Sequence, residues 1–256
     1  MCLIAFAWQA HPGYSLIVGA NRDEWHDRPA EPAHWWPRRG ILAGRDLEAG
    51  GTWLGVTRSG RFGAITNFRD PSDRKSIAPS RGALVIDYLQ SGLTPRDFLT
   101  QLLPLAHRYN GFNLLLSDNH SMCYFGSRAS LIQDVSPGVH GLSNHLLDEP
   151  WPKVNQSKSD LDAILQAKMP ENARQMAIYD FLSDAALADD EYLPDTAVGL
   201  DWERRLSPAL IVSEKYGTRC SSTLAISHEG RMCFEEKTRD ADGVVRKTST
   251  FEFARR

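Results

Sequence analysis

Two apolar runs at the start of the chain, separated by a Pro-Gly turn, constrain the fold most. Residues 2–8 and 14–20 are rich in aliphatic and aromatic side chains and flank the turn at 12–13. Such runs around a short turn predict an antiparallel hairpin. The second run leads directly into the polar sequence Asn-Arg-Asp-Glu at 21–24. The hairpin would therefore bring this polar sequence next to Cys2, the first residue of the opposite strand.

The remaining pattern predicts strands at both ends of the chain and helices in the middle. Residues 25–51 lack periodicity and contain several prolines and glycines, which favours a long surface loop, often a functional feature. No linker divides the chain, so we predict one α+β domain over residues 1–256, with two sheets covered by helices. The predicted helices are 81–91, 95–103, 153–168 and 173–187, and the further strands are 52–57, 62–67, 112–117, 121–126, 129–134, 209–213, 218–226, 231–238 and 245–253.

Charge and composition exclude several classes of function. Lys and Arg number 29 and Asp and Glu 32, a net charge of −3, so nothing favours nucleic-acid binding. No apolar run reaches the roughly 18–20 residues that span a bilayer, and the first residues do not resemble a signal peptide. The four cysteines show no metal-binding spacing, which predicts reduced thiols, a cytoplasmic location and no metal site.

Cys2 and the polar sequence after the hairpin form the first candidate site. If the initiator Met1 is removed, Cys2 carries both a thiol nucleophile and an α-amine that can accept its proton. Such a site needs a group to hold the amine, a cation to favour the thiolate and donors for the oxyanion. Asn21, Arg22, Asp23 and Glu24 could supply these, with Asn21 and Asp23 on one face of the strand and Arg22 and Glu24 on the other. The alternative is a solvated turn.

An aromatic and histidine group forms a second candidate site. Tryptophans provide large flat surfaces for apolar ligands, and four of the seven fall within this part of the chain. The alternative is that they anchor a long loop to the core. The members are Trp25, His26, His34, Trp35, Trp36 and Trp53.

Amide and arginine side chains at predicted strand ends form a third group, namely Asn67, Asn144 and Arg219. Each of them is compatible with a simple turn residue as well as with a site. No phosphate-binding glycine loop and no Gly-x-Ser-x-Gly sequence occurs, which argues against a nucleotide-binding enzyme and an α/β-hydrolase.

Several separated motifs are spread along the chain. They are Met1-Cys2-Leu3-Ile4, Asn21-Arg22-Asp23-Glu24, Gly51-Thr52-Trp53-Leu54-Gly55-Val56, Gly63-Ala64-Ile65-Thr66-Asn67-Phe68-Arg69, Ser80-Arg81-Gly82, Tyr109-Asn110-Gly111-Phe112-Asn113-Leu114-Leu115, Gly141-Leu142-Ser143-Asn144, Pro150-Trp151-Pro152-Lys153 and Tyr216-Gly217-Thr218-Arg219. Together they resemble the NRDE family, also called the transport and Golgi organisation two-like family, from residue 1 to about 238. The resemblance implies a four-layer αββα sandwich of the N-terminal nucleophile hydrolase type.

The resemblance implies two competing functions, and an interaction module without a small ligand is a third class. The first is haem trafficking, with haem as bound cargo and haem donor or acceptor proteins as partners. A haem site at the 25–53 segment would use tryptophan walls, an axial ligand among His26, His34, His145 and Cys2, and propionate partners among Arg22, Arg28, Arg38 and Arg39. The second is cleavage of linear amide bonds by Cys2, with Asn21, Arg22, Asp23, Asn67, Asn144 and Arg219 in support. Relatives of this hydrolase type carry an Arg before Asn-x-Asp, where this chain has Ala20.

Overall fold

Two antiparallel sheets packed face to face form the centre of the protein. A computed structural model describes residues 2–37, 39–73 and 75–256. The strands are β1 (Cys2–His11), β2 (Tyr14–Trp25), β3 (Ala30–Trp36), β4 (Ile41–Asp46), β5 (Leu54–Thr57), β6 (Phe62–Asn67), β7 (Phe112–Ser117), β8 (Met122–Gly126), β9 (Leu131–Asp134), β10 (Gly138–Leu142), β11 (Tyr216–Ser227), β12 (Arg231–Arg239) and β13 (Val245–Ala254). Helices follow the strands in two groups, α1 (Arg81–Gln90) and α2 (Pro95–Leu102), then α3 (Pro152–Gln166), α4 (Glu171–Leu182) and α5 (Leu200–Arg205).

The strand order places both ends of the chain in the same sheet. The first sheet has the order β10-β1-β2-β11-β12-β13, and the second runs from β3 to β9 in sequence order. Helices α1 and α2 cover the second sheet, whereas α3 and α4 cover the first. The resulting layers are helix, sheet, sheet and helix, so the predicted αββα sandwich is confirmed.

Three hydrophobic layers hold this arrangement together. Phe6, Val18 and Phe62 belong to the layer between the sheets, and each is at most 1% exposed. Tyr88 on α1 packs in a second layer against β7 and β8. Leu161 on α3 packs in a third layer against β1 and α4. Alternate residues of a strand face opposite sides, which is why β1 contributes to two layers at once.

The predicted first hairpin is confirmed in its pairing. Strands β1 and β2 pair antiparallel, with Leu3 opposite Asn21 and Cys2 opposite Arg22. Strand β11 pairs with the other side of β2 and places Cys220 opposite Arg22. The start of β1 and the end of β2 therefore lie side by side in the middle of the first sheet.

The prediction of a loop over residues 25–51 is wrong. Strands β3 and β4 occupy much of it and pair with each other. Pro32 lies inside β3, where the register shifts between Glu31 and His34. Proline is tolerated at such an irregularity because β3 is an edge strand of its sheet. The prolines thus mark an irregular edge strand here, and the period-two pattern is lost for the same reason.

Smaller differences concern the second half of the chain. The predicted strand 209–213 is irregular backbone, and the predicted helix 173–187 ends at Leu182. Helix α5 and strand β10 were not predicted. Short elements of five or six residues offer little periodicity, so their type is set by what they pack against.

Candidate active site

The hairpin register places Cys2 and Arg22 directly opposite each other on adjacent strands. Ile4, two residues after Cys2, faces the layer between the sheets, so Cys2 and Arg22 share that inner face. Asn21 faces the other side, where its Nδ2 donates to the carbonyl oxygens of Leu182 and Ala209, both at 2.8 Å. The predicted alternation of faces is confirmed. Asn21 therefore fastens the end of α4 to the sheet and does not contact the thiol side.

A cavity of about 780 Å³ opens between the two sheets at this end of the sandwich. It is lined by residues from β1, β2, β4, β6, β11 and β12 and by the start of α1. Of the three candidate groups named from the sequence, seven residues line it, namely Cys2, Arg22, Asp23, Glu24, Trp53, Asn67 and Arg219. The remaining ones, Asn21, Trp25, His26, His34, Trp35, Trp36 and Asn144, do not.

Arg22 belongs to an ion network that joins the two sheets across the cavity. Its Nη2 lies 3.1 Å from Oδ2 of Asp46 at the end of β4. Arg28 donates to the same carboxylate at 2.6 Å and to Glu48 at 3.0 Å. Burial raises the pKa of Asp46, but the hydrogen bonds from Arg28 and from the N–H of Ala49 outweigh it, and the net pKa is lowered. Asp46 is therefore ionised and holds two arginines.

Asp23 lies on the opposite face and is 1% exposed. Thr218 donates its hydroxyl to Oδ1 of Asp23 at 2.7 Å, and Tyr216 donates to the Asp23 carbonyl at 3.1 Å. Burial raises the pKa of Asp23, and the buried ammonium of Lys153 acts most strongly against that rise. The carboxyl group thus has a fixed position beside the start of β1.

The cysteine thiols of the cavity are buried. Burial raises the pKa of Cys2, and the charge of Arg22 opposes that change. Cys220, on the other side of Arg22, has its pKa raised by burial and by Glu236. Neither thiol is a thiolate at neutral pH without a base, because the nucleophilic form needs a nearby proton acceptor or a strong positive field. Ser143 positions Cys2 by donating to its carbonyl oxygen at 2.9 Å.

Asn144 supports Asn67 and does not reach the cavity. Its Nδ2 donates to the Asn67 carbonyl at 2.9 Å, and its own carbonyl accepts the N–H of Arg69 at 2.7 Å. Asn67 itself lines the cavity. The two asparagines singled out from the sequence are therefore joined, with one at the surface of the cavity and the other behind it.

Arg219 lies at an irregularity of β11 and bonds to main-chain oxygens. Its Nη1 donates to the carbonyls of Trp25 at 2.7 Å and Arg28 at 3.0 Å. Burial lowers its pKa, and the like charge of Arg22 adds to that effect. Two arginine side chains thus approach each other at one end of the cavity.

The predicted aromatic pocket does not form. Trp36 is buried in the layer under α1, and its Nε1 donates to the Ala43 carbonyl at 3.0 Å. Trp35 packs against Phe253, with ring centroids 4.9 Å apart. Trp25 is 46% exposed and contacts Trp202 and Tyr216. Trp35 and Trp36 diverge because they are consecutive residues of β3, and successive side chains of a strand point to opposite faces.

The predicted haem ligands are likewise separated. His26 lies 3.0 Å from the Ser213 carbonyl, His34 2.8 Å from the Pro32 carbonyl, and His145 2.8 Å from Glu149. Of the candidate axial ligands only Cys2 lines the cavity, and of the candidate propionate partners Arg22 and Arg28 do so, while Arg39 does not. Met1 and Arg38 lie outside the described residues.

Among residues 2–37, 39–73 and 75–256, no three His, Cys, Asp or Glu side chains are placed to hold a metal ion. In the same ranges, no helix combines the length and the apolar character needed to cross a membrane.

Several cavity residues were missed by sequence reasoning. Asp46 comes from the segment that was predicted to be a loop, and Glu236 comes from a strand whose face was not assigned. Lys153, which is buried but does not line the cavity, lies in the Pro-Trp-Pro-Lys motif, which was noted only for its resemblance. A lysine two residues into a helix, next to proline and tryptophan, could have been recognised as a candidate buried cation.

The fold and the site together define a class of protein, namely αββα sandwiches whose first strand begins with a cysteine that lines a cavity between the sheets. The family described as Transport and Golgi organisation 2 matches residues 1–241. The mouse Transport and Golgi organization 2 homolog is 33% identical and the human one 32%, each over 99% of both chains. The Drosophila melanogaster protein of that name is 28% identical over 93% of this chain and 92% of its own. The chain belongs to this family.

Two solved structures are similar to this chain at low sequence identity. One is a Caenorhabditis elegans N-acylethanolamine-hydrolyzing acid amidase ortholog, with 10% identity and a TM-score of 0.48, covering 86% of this chain and 92% of that one. The other is a C2A mutant of the conjugated bile acid hydrolase from Clostridium perfringens, with 12% identity and a TM-score of 0.43, covering 99% of this chain and 97% of that one.

Proposed function

We propose that the protein, once Met1 is removed, is a cysteine amidohydrolase that cleaves linear C–N amide bonds with Cys2. One observation supports this proposal above the others. Cys2, Arg22, Asp23, Asn67 and Arg219 all line one cavity of about 780 Å³. A nucleophile, two cations, a carboxylate and an amide in one concave site are the groups that acyl transfer through a terminal cysteine requires.

The reaction would proceed in two balanced steps. The α-amine of Cys2 takes the thiol proton, and Sγ attacks the amide carbon and forms a C–S bond. The C–N bond breaks as the α-ammonium gives its proton to the departing amine. Water then attacks the thioester carbon and gives one proton to the α-amine, and the C–S bond breaks to release a carboxylic acid and restore the thiol.

Each neighbouring side chain has a role that its position supports. Arg22 lies opposite Cys2 on the adjacent strand and stabilises the thiolate, although it also forms an ion pair with Asp46. Asp23 holds the α-amine. Asn67 is the candidate oxyanion donor, and Asn144 positions it through the Asn67 carbonyl. Because burial raises the pKa of the Cys2 thiol, the intramolecular base is essential to this mechanism.

Intact-mass analysis of the protein from its native host, followed by alkylation and turnover, tests the proposal. We expect Met1 to be absent and Cys2 to react with iodoacetamide faster than Cys123 or Cys233, because its own α-amine can take the thiol proton. Cys123 and Cys233 carry no such base, and burial raises their pKa values to about 12 and about 11. Against a panel of N-acyl amino acids, Cys2→Ala should remove hydrolysis by about 10³-fold or more. Cys233→Ala is the matched control and should retain activity. Full retention of Met1 would exclude the mechanism.

Haem carriage is a second candidate because cationic side chains crowd one end of the cavity. Arg22, Arg28 and Arg219 all line it and could bind two propionates. Trp53 is the tryptophan of the predicted group that lines the cavity, so it is the side chain that would contact the ring. In this function the protein would receive haem from a cytoplasmic donor protein and deliver it to an acceptor protein.

A haem titration separates this candidate from the first. Saturable quenching of tryptophan fluorescence with a Soret shift is expected if haem binds in the cavity. Trp53→Ala should then weaken binding more than Trp35→Ala, whose side chain packs elsewhere. Quenching that does not saturate, or that is equal in both variants, would show that haem adheres to the surface only.

A further inference from the structure

Arg219 lines the cavity, yet it has no part in the bond-making and bond-breaking steps of the proposed reaction. It lies where the pairing of β11 with β2 shifts between Thr218 and Cys220. The extra residue of such a bulge stands outside the regular ladder, which re-aims its side chain, and bulges are frequent next to active sites. The irregularity therefore gives the Arg219 side chain a direction that regular alternation along β11 would not provide.

The guanidinium of Arg219 is held in place through a single nitrogen. Nη1 donates to the carbonyl oxygens of Trp25 at 2.7 Å and of Arg28 at 3.0 Å. These two bonds use both N–H groups of Nη1. Within residues 2–37, 39–73 and 75–256, Nε and Nη2 make no hydrogen bond and are not enclosed by protein. One edge of the guanidinium is therefore open.

This open edge has the shape of a carboxylate-binding site. The N–H of Nε and one N–H of Nη2 lie parallel in the plane of the guanidinium, and they match the two oxygens of a carboxylate. Because Nη1 already fixes that plane, a ligand loses little binding free energy to ordering the arginine. Arg219 is thus prepared for a planar anion rather than for a neutral group.

The charges around Arg219 favour the same occupant. Arg22 and Arg28, at the same end of the cavity, both contact the carboxylate of Asp46. In the described part of the chain, Arg219 forms no ion pair with a carboxylate. Burial lowers the pKa of Arg219, the like charge of Arg22 lowers it further, and the acidic side chains nearby do not outweigh these effects. A bound carboxylate would supply the counter-charge that the protein does not.

We infer that Arg219 binds a carboxylate of the substrate, and that the substrates are therefore linear amides that carry a carboxylate, as N-acyl amino acids do. This inference rests on the proposed function, since it places the scissile amide at Cys2. The cavity wall fits a polar substrate, because more than half of the residues that line it are charged or polar and the largest apolar ones are Trp53 and Ile65. A neutral amide would leave the open edge of Arg219 without a partner.

The test measures how well small ligands protect Cys2 from iodoacetamide in protein that lacks Met1. The probes are N-acetyl amino acids and the matching neutral N-acetyl amino acid amides, and the concentration that halves the alkylation rate gives each Kd. We expect the acids to bind more tightly than the amides by about 10-fold or more, and Arg219→Gln to remove this preference. Arg45→Gln is the matched control, because Arg45 also lines the cavity but stacks over Trp36 at 5.4 Å. It should keep the preference.

Three results would overturn the assignment. One is a parent protein that binds acids and amides equally or binds neither. Another is a folded Arg219→Gln protein that keeps the preference. The third is an equal loss in Arg45→Gln, which would show a diffuse positive field and no carboxylate site. If Arg219→Gln does not fold, Arg219→Lys takes its place, because it keeps the charge without the two parallel N–H groups, and its preference should fall by about 3-fold or more.

Failure of the proposed function gives a different result. Acids that protect Cys2 through Arg219 but are not hydrolysed would count against the amidohydrolase and leave the carboxylate site intact. Hydrolysis of acids and amides with equal kcat/KM would support the amidohydrolase and contradict the site.

Discussion

Residues 21–24 and the segment from 25 to 53 are neighbours in the chain, yet they contribute to the cavity in different ways. The first lies on a central strand, and three of its four residues line the cavity. The second forms β3 and β4 at the edge of the other sheet, and its aromatic side chains pack into core layers or face solvent. Its contribution to the cavity is mainly charged, through Arg28, Asp46 and Glu48, and Trp53 is the one tryptophan of the segment that lines it. Polar residues near a nucleophile are thus better guides to this site than a concentration of tryptophans.

The largest expected effect tests whether the tryptophans are structural. Trp36→Ala should lower the free energy of unfolding by about 3–5 kcal/mol, because a large buried side chain leaves a cavity and the Ala43 carbonyl loses its donor. Trp25→Ala, at a 46% exposed side chain, should cost about 1 kcal/mol or less. Urea unfolding of both variants measures the difference. If Trp25→Ala instead removed ligand binding and left the free energy of unfolding unchanged, the conclusion that these tryptophans are structural would be wrong.

A smaller effect is expected where the two segments are joined, at Asp46. Asp46→Asn should cost about 1.5–3 kcal/mol, because charge-assisted hydrogen bonds from Arg22 and Arg28 are lost or weakened. The pKa of Asp46 is lower in the folded protein, so its contribution is present above about pH 4 and is lost as pH falls through the folded value. Parent and variant should therefore converge in acid.

Glu48→Gln provides the control for this experiment. Glu48 pairs with Arg28, but its side chain is 62% exposed. Exposed ion pairs contribute little, so we expect a change of about 0.5 kcal/mol or less. Equal losses in both variants would mean that Asp46 acts as an ordinary surface charge and does not connect the sheets.

The sequence predicted the parts of the site that depend on local pattern. The Pro-Gly turn determines the hairpin, and strand periodicity then places Arg22 on the side of Cys2 and Asn21 on the other. The family resemblance supplied the layer order. These inferences succeed because turn chemistry and alternation act over a few residues.

The parts that failed depend on contacts between distant elements. Asp46 becomes part of the site only because β4 reaches across to β2, and no local signal marks it. The irregular strand β3 is stabilised by Glu236, some 200 residues away, which accepts the Ala33 N–H at 2.7 Å. Local propensity could not predict this strand, because a hydrogen bond to a residue of the other sheet stabilises the irregularity in its pairing.

Glu236 gives a smaller expected effect than Asp46, and it tests directly whether this hydrogen bond stabilises β3. It is 3% exposed, and burial raises its pKa. The folded protein therefore binds this proton more tightly than the unfolded chain, so stability should fall as pH rises from about 4.5 toward the folded pKa. Glu236→Gln keeps an acceptor for the Ala33 N–H and cannot ionise, so its stability should decline less, by about 1 kcal/mol. Urea unfolding at pH 4.5 and 7 measures the difference, with Glu235→Gln on the adjacent position of β12 as control. If the stability of the parent protein had the same pH dependence as that of Glu236→Gln, ionisation of Glu236 would not affect its contact with β3.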